Sequence, residues 1–126
     1  LHAVQCESCA PIVAAADAGL REPLCAVPDV TIAGGISIGD PPRGRDVLST
    51  LLKTRGTAIS VTEQEVWDAY LEFPQLEGLS IEPTSATAFA GTRRLHERGV
   101  IKEGDSVLVA VTGSGLKDPL PVQPGS

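Results

Sequence analysis

The sequence predicts an α/β fold with a mainly parallel sheet, in a three-layer αβα arrangement. Short apolar stretches alternate along the chain with segments whose apolar residues recur at helical spacing. One stretch, residues 107–111, is apolar throughout, with β-branched residues at alternate positions, as in a strand buried on both faces. Glycines and small polar residues follow it directly, which indicates a ligand site at the carboxyl end of a strand.

Composition and charge exclude several classes of function. The 126 residues are 42% hydrophobic, which suits one compact domain or one lobe of a larger protein. The net charge of -6 argues against nucleic acid or an anionic membrane as partner, because both need a basic surface. No apolar run approaches the roughly 20 residues of a membrane span, and no signal peptide is visible, so we expect a cytoplasmic protein. The chain starts at Leu1 and contains no Met, which suggests a piece of a longer protein.

The cysteines offer a different chemistry. Cys6 and Cys9 form a C-x-x-C at a predicted junction of strand and helix, where a thioredoxin-type redox pair would lie. Buried structural thiols are the other interpretation. With Cys25 the cysteine count is odd, so a disulfide framework is not expected. No metal site is predicted either, because His2 and His96 lack the spacing of zinc ligands.

Spacing and capping signals define the first elements. Residues 1–5 predict a strand, and Ser8 is the expected N-cap of an alanine-rich helix that stops at Gly19. Residues 21–30 contain two prolines and predict a loop. Residues 31–42 are rich in glycine but match no nucleotide-binding pattern. They form either a plain turn or a backbone surface that lies flat against a planar ligand.

The alternation of strands and helices continues in the middle of the chain. Residues 45–55 predict a helix from their leucine spacing, and residues 57–61 predict a strand. Thr62 and Glu65 form a capping box that starts another helix. We expect that helix to stop before Pro74.

Two residues near predicted strand ends are candidates for a site. Glu82 follows a brief strand and precedes a helix of small residues, so it either caps that helix or belongs to a site. Thr112 follows the central strand and offers a hydroxyl next to glycine. The tail, residues 119–126, is rich in proline and is expected to be frayed.

Several motifs together carry a family resemblance: residues 4–12, 31–41, 61–65, 82–86 and 112–118. In this order they resemble the C-terminal part of the threonine synthase family, pyridoxal phosphate (PLP) enzymes with the tryptophan synthase beta-like fold, fold type II. The resemblance covers nearly the whole chain. Its most specific segment is T-G-S-G-L-K-D at residues 112–118, since related dehydratases usually carry a Ser-Gly-Gly-Asn type sequence there. It implies that residues 1–118 form about half of the large, cofactor-bearing domain.

The resemblance implies which residues contact the cofactor. They are Thr112, Ala33, Gly34, Gly35 and Glu82. Thr112 would exchange a hydrogen bond with the pyridine nitrogen, and such a neutral partner leaves that nitrogen largely unprotonated. The residues from Ala33 to Gly35 would lie along one ring face, Glu82 would lie near the ring without direct contact, and Ser85 would cap the following helix.

The resemblance also implies the reaction. O-phospho-L-homoserine loses phosphate and water adds to give L-threonine, with the PLP ring as electron sink. No catalytic residue is assigned here, because the family's Schiff-base lysine, asparagine and glycine-rich phosphate cup lie in N-terminal parts outside this sequence. Lys117 is expected to be a surface charge. We therefore expect the chain to be inactive alone and, with open sheet edges, to self-associate.

Two other functions stay open at this point. The chain could belong to a related PLP-dependent dehydratase or replacement enzyme. It could also be a thiol redox or binding module that uses Cys6 and Cys9.

Overall fold

The computed structural model describes residues 1–117 and 121–124. Its strands and helices are β1 (Ala3–Cys6), α1 (Pro11–Asp17), α2 (Gly44–Thr54), β2 (Ala58–Val61), α3 (Glu63–Glu77) and α4 (Pro83–Glu97). A single 3-10 turn, Gly34–Ile36, lies between α1 and α2. The domain boundary predicted at Asp118 lies outside the described residues, as do residues 119, 120, 125 and 126 of the predicted tail. Within the described part, no helix combines the length and the apolar character that crossing a membrane requires.

The two strands pair in parallel, as predicted. Ala3 lies opposite Ala58 and Cys6 lies opposite Val61. The backbone N–H of Glu7 donates to the carbonyl of Val61 at 2.9 Å, which continues the pairing beyond the strand ends. Both strands therefore end at the same level, and the residues that follow them meet at one edge of the sheet.

Two apolar clusters cover opposite faces of this sheet. Val4 and Cys6 face the first cluster, whereas Ala3 faces the second, because successive side chains of a strand alternate between faces. Helices α3 and α4 supply half of the buried residues of the first cluster: Val66, Ala69, Ala86 and Ala90. Helices α1 and α2 form the second with Ile12, Ala15, Leu48 and Leu51. The predicted layers of helix, sheet and helix are thus present.

Helix α4 approaches the sheet closely because its residues are small. Gly91 is buried on the helix, and a Cβ built there would overlap the side chain of Val4 on β1. Ala86 and Ala90 are buried on the same helix. The small residues therefore set the distance between α4 and the sheet.

The N-cap predicted at Ser8 is wrong. Helix α1 begins at Pro11, and its first free N–H groups, those of Ile12 and Val13, donate to Gln5 Oε1 at 2.9 and 3.1 Å. The Ser8 hydroxyl instead donates to the carboxylate of Glu63, just after β2, at 3.0 Å. A side chain of β1 thus caps the helix, which removes the need for a local cap.

Helix α3 begins as predicted but ends later. Thr62 and Glu65 form the capping box, with the Thr62 N–H donating to Glu65 Oε2 at 2.7 Å. The predicted stop before Pro74 is wrong, since the helix continues to Glu77. The carbonyl of Pro74 still accepts from the N–H of Gly78 at 3.0 Å, so the final turn closes normally. Gly78 then ends the helix with a positive φ of 69°, which glycine adopts without strain.

The stretch predicted as the central buried strand is the largest difference from expectation. Residues 107–111 form no strand in the described part of the chain, and Leu108 is 100% exposed. A strand needs a neighbour with a free backbone edge. Among the described residues the sheet contains only β1 and β2, and it does not reach this stretch. Among the described residues, the apolar stretch 107–111 therefore has no partner strand.

Gly91→Ala should lower the free energy of unfolding by about 1–3 kcal/mol, because the added methyl group overlaps Val4. Urea unfolding followed by circular dichroism measures the loss. Adding Val4→Ala should relieve the overlap, so the double variant should be more stable than the sum of the two single effects predicts. Strictly additive losses would contradict the close packing of α4 on β1.

Candidate functional site

The candidate site is built around the first turn of α4. Glu82 precedes the helix with an extended backbone, φ -72° and ψ 155°, and Pro83 occupies the first helical position. Proline is well suited to this position because its missing N–H would have no partner inside the helix. The fixed turn presents Glu82 and Ser85 to the segment at Thr112 and Gly113, and Thr84 to the glycine turn.

Ser85 holds the glycine-rich segment that follows residue 111. Its Oγ accepts hydrogen bonds from the backbone N–H groups of Thr112, at 2.9 Å, and Gly113, at 3.1 Å. The side chain lies fully inside the protein, with Ser85 only 1% exposed. The helix-capping role predicted for Ser85 is therefore wrong. Glu82 occupies the N-cap position instead, which leaves the Ser85 hydroxyl to bond another segment.

Glu82 contacts the same segment. The Thr112 hydroxyl donates to Glu82 Oε1 at 3.1 Å, and the backbone N–H of Glu82 donates to the carbonyl of Gly113 at 3.1 Å. The Glu82 side chain forms no capping hydrogen bond, so its predicted role as a side-chain cap is wrong, and its membership of a cofactor site stays a prediction. A Cβ at Gly113 would overlap the Glu82 carboxylate, so a larger residue there would displace the Glu82 side chain.

The glycine turn Gly34–Ile36 packs against the same end of α4. A Cβ at Gly35 would lie 2.8 Å from Thr84 Oγ1, so a larger residue would push the turn away from the helix. No atom lies within 4 Å of a Cβ built at Gly34, which leaves its backbone open on that side. Ala33 is completely buried in the first cluster. Only Gly34 and Gly35 therefore present an exposed surface, and ring contact by all three residues stays a prediction.

A cleft of about 610 Å³ lies beside these elements. Ile36, Thr84 and Thr112 line it together with residues 105–110. Its volume is within the range of small-molecule sites, about 300–1,000 Å³. Of the predicted cofactor-binding residues, only Thr112 lines this cleft. Glu82 contacts Thr112 from outside it, and the turn from Ala33 to Gly35 lies outside its lining.

These residues fit one edge of a PLP molecule. A neutral hydroxyl suits an aromatic nitrogen, and exposed glycine backbone admits a flat ring. Lys53, Lys102 and Lys117 are exposed, and none of these three side chains lines the cleft. The exposure of Lys117 agrees with a surface charge.

Sequence reasoning missed a second cluster, centred on Glu63. Its carboxylate accepts hydrogen bonds from Cys6 Sγ at 2.7 Å and from the backbone N–H of Ile32 at 3.0 Å. It thereby connects the end of β1, the start of α3 and the loop that leads to Gly34. An acidic residue in the first turn of a helix is common, and nothing in the sequence pairs it with a residue 31 positions earlier.

The charges of this cluster argue against thiol redox chemistry. Burial opposes ionisation of Glu63, but the hydrogen bonds that it accepts, that of Cys6 foremost, outweigh burial and hold its pKa below the ordinary value. Burial, and next the hydrogen bond to Glu63, raise the pKa of the Cys6 thiol. A redox-active thiol needs a lowered pKa and access to solvent. Cys6 and Cys9 are 2% and 3% exposed, so the structure favours buried structural thiols.

Comparison with known proteins identifies the class. Residues 1–113 match the pyridoxal-phosphate dependent enzyme family, and the chain belongs to that family. The cofactor predicted from the sequence is thus confirmed as that of the family. The fold agrees with that of a solved threonine deaminase from T.th., with a TM-score of 0.61 and 21% identity over 95% of this chain and 41% of that chain.

Within this family, the curated relatives indicate which enzyme the chain resembles. Threonine synthase of Methanosarcina acetivorans is 38% identical over 116 residues, and that of Methanocaldococcus jannaschii is 33% identical over 116 residues. Each match covers 92% of this chain and 29% of the relative. The resemblance seen in the motifs is confirmed, and the chain spans less than a third of the length of these relatives.

Glu63→Gln should lower the free energy of unfolding by about 1 kcal/mol near pH 7, because a neutral amide replaces a carboxylate that accepts several hydrogen bonds. The pKa of Glu63 is lower in the folded chain than in the unfolded chain. Its contribution is therefore present above the unfolded pKa and is lost as the pH falls through the folded pKa. Urea unfolding at about pH 7 and about pH 3 should show a smaller difference between wild type and variant at the acidic pH.

The control for this comparison is Glu7→Gln, at an exposed position in the next turn of chain after β1. Its effect on the free energy of unfolding should be small at both pH values. A loss in Glu63→Gln that is equal at the two pH values would contradict the role of the ionised carboxylate.

Proposed function

We propose that this chain forms the C-terminal part of a threonine synthase, which converts O-phospho-L-homoserine and water to L-threonine and phosphate with PLP. The observation that carries the proposal is the Thr112 hydroxyl, held against Glu82 at the first turn of α4 and open to the cleft. The names of the curated relatives give the product, threonine, and the family resemblance implies the substrate. The activity belongs to amino-acid biosynthesis, and we place it in the cytoplasm.

Each residue of the site has a proposed task. PLP, when bound, supplies the electron sink for the replacement. Thr112 offers the ring nitrogen a hydrogen bond without a formal charge. Gly34 and Gly35 leave room along one ring face, and the buried Ala33 anchors their turn. Glu82 does not contact the ring. It holds the Thr112 side chain in place by accepting a hydrogen bond from the Thr112 hydroxyl.

The chain is inactive alone in this proposal. Its three lysines are exposed and do not line the cleft, and the proposal assigns the Schiff-base lysine and the phosphate-binding glycines to a segment outside these residues. The substrate site is then shared between that segment and this chain.

A chimera tests the proposal. This chain replaces the matching 116-residue segment of the Methanosarcina acetivorans enzyme, and phosphate release from O-phosphohomoserine is measured. We expect PLP binding and release of phosphate. Thr112→Val should lower kcat about tenfold, the effect of about one lost hydrogen bond. Thr50→Val should leave kcat unchanged, because the Thr50 hydroxyl bonds only within α2.

Two other outcomes of the chimera are informative. Conversion of threonine to a 2-oxo acid without action on O-phosphohomoserine would support a dehydratase instead. A folded chimera that binds no PLP would contradict the proposal. The isolated chain, treated with PLP and borohydride, serves as control and should show no specific lysine label by mass spectrometry. Stoichiometric label on Lys117 would contradict a shared site.

We also propose that the isolated chain self-associates through the exposed residues 107–111. Leu108 is 100% exposed in an apolar run, which is costly in water. Light scattering coupled to size exclusion should show oligomers of the wild-type chain, and Leu108→Asp should shift them toward monomer. Leu76→Asp, at a 71% exposed site on α3, should not. A wild-type chain that is monomeric at all concentrations would contradict this proposal.

A further inference from the structure

We propose that Glu63 is a positioning residue that holds the glycine turn, Gly34–Ile36, where its backbone leaves one face of the PLP ring free. The inference rests on the proposed function, in which Gly34 and Gly35 leave room along that face. Glu63 is not part of the cleft wall, so it does not act on the ring directly. It acts through the loop that leads into the turn.

The two oxygens of the Glu63 carboxylate bond different parts of the chain. Oε1 accepts from Cys6 Sγ at 2.7 Å and from the Ser8 hydroxyl at 3.0 Å, at and just after the end of β1. Oε2 accepts from the backbone N–H of Ile32 at 3.0 Å, and the Thr31 hydroxyl hydrogen-bonds the same carboxylate. Glu63 thus joins a strand end, which the sheet holds in place, to the loop before the glycine turn.

The loop passes this attachment on to the turn. The N–H of Ala33 donates to Thr31 Oγ1 at 3.0 Å, and the carbonyl of Ala33 accepts from the N–H of Ile36 at 3.1 Å. Burial of the Ala33 methyl group fixes where this residue lies, but only hydrogen bonds are directional enough to orient its backbone. A loop released from Glu63 would therefore let the turn change its orientation.

The position of the turn matters because it packs between this loop and α4. A Cβ at Gly35 would lie 2.8 Å from Thr84 Oγ1, so Thr84 resists movement of the turn toward the helix. Ile36, the last residue of the turn, lines the cleft together with Thr84. A turn released from Glu63 would therefore move away from α4 and change both the glycine surface and this wall of the cleft.

Ser8 provides a matched control. Its hydroxyl bonds the same carboxylate as the N–H of Ile32, but through the other oxygen. Its backbone carbonyl accepts from the N–H of Asp29 at 3.0 Å, a hydrogen bond that Ser8→Ala keeps. Ser8 is not part of the cleft wall. Ser8→Ala therefore removes one hydrogen bond of Glu63 and leaves its bonds to the loop in place.

Amide hydrogen exchange tests the attachment in this chain, without cofactor. Rates are compared with that of the Leu51 amide on α2, which reports overall unfolding. Glu63→Ala should speed the relative exchange of the Ile32 and Ala33 amides about tenfold, because the carboxylate that holds their loop is lost. Ser8→Ala should leave both relative rates as in wild type. Equal relative rates in wild type and Glu63→Ala would overturn the inference.

PLP affinity tests the consequence in the chimera described above. Glu63→Ala should raise the dissociation constant of PLP, measured by equilibrium dialysis, about tenfold, the effect of about one lost hydrogen bond. Ser8→Ala should leave it unchanged. Glu63→Gln, which keeps an acceptor oxygen for the N–H of Ile32, should recover most of the affinity.

The failure of this inference can be told apart from the failure of the proposed function. If the chimera binds PLP and Glu63→Ala binds it equally well, the inference fails and the proposed function stands. An equal loss of affinity in Glu63→Ala and Ser8→Ala would also overturn the inference, because it would reflect general destabilisation. If the folded chimera binds no PLP, the proposed function fails and this inference falls with it.

Discussion

The parallel pairing of β1 with β2 is the constraint on which the rest of the structure depends. Its register brings the ends of both strands to one level, with Cys6 opposite Val61. Glu63 comes just after β2 and therefore reaches the end of β1 and the N–H of Ile32 at once. The pairing of β1 with β2 thus positions Glu63, and Glu63 holds the loop that leads to the glycine turn. The turn packs closely on α4 at Gly35, where an added Cβ would force Thr84 or the turn to shift.

A second network fixes α4 from its other end. Arg94 Nε donates to Glu65 Oε1 at 2.9 Å, and the same guanidinium bonds the carbonyl of Ser60 on β2. Burial disfavours the charge of Glu65, but hydrogen bonds from Thr62 and Arg94 outweigh it and keep its pKa below the ordinary value. Glu65 thus serves both the capping box of α3 and the attachment of α4. Because α4 is held at both ends, its first turn is a rigid base for Thr112.

The parts of the fold that depend on neighbours along the chain could be predicted from the sequence. The strands β1 and β2, helix α2 and the capping box at Thr62 follow from local spacing, and the structure contains them. The cap by Gln5, which takes the place predicted for Ser8, could not be predicted, because Gln5 reaches the helix only when β1 and α1 pack together. Glu82 and Thr112 lie 30 positions apart, and only the family resemblance brought them together before their contact was visible.

The remaining difference connects the fold to the site. Residues 107–111 have the composition of a buried strand, yet the described chain offers them no partner strand, and they end directly at Thr112. On one side of that junction the backbone of Thr112 and Gly113 is tied to Ser85, whereas on the other side Leu108 is exposed to water. Residues 105–110 also line the cleft. Any segment that pairs with this stretch would therefore cover its apolar side chains and close one wall of the cleft in the same step. In the proposed function, association would thus be coupled to completion of the site, because the exposed stretch runs directly into Thr112.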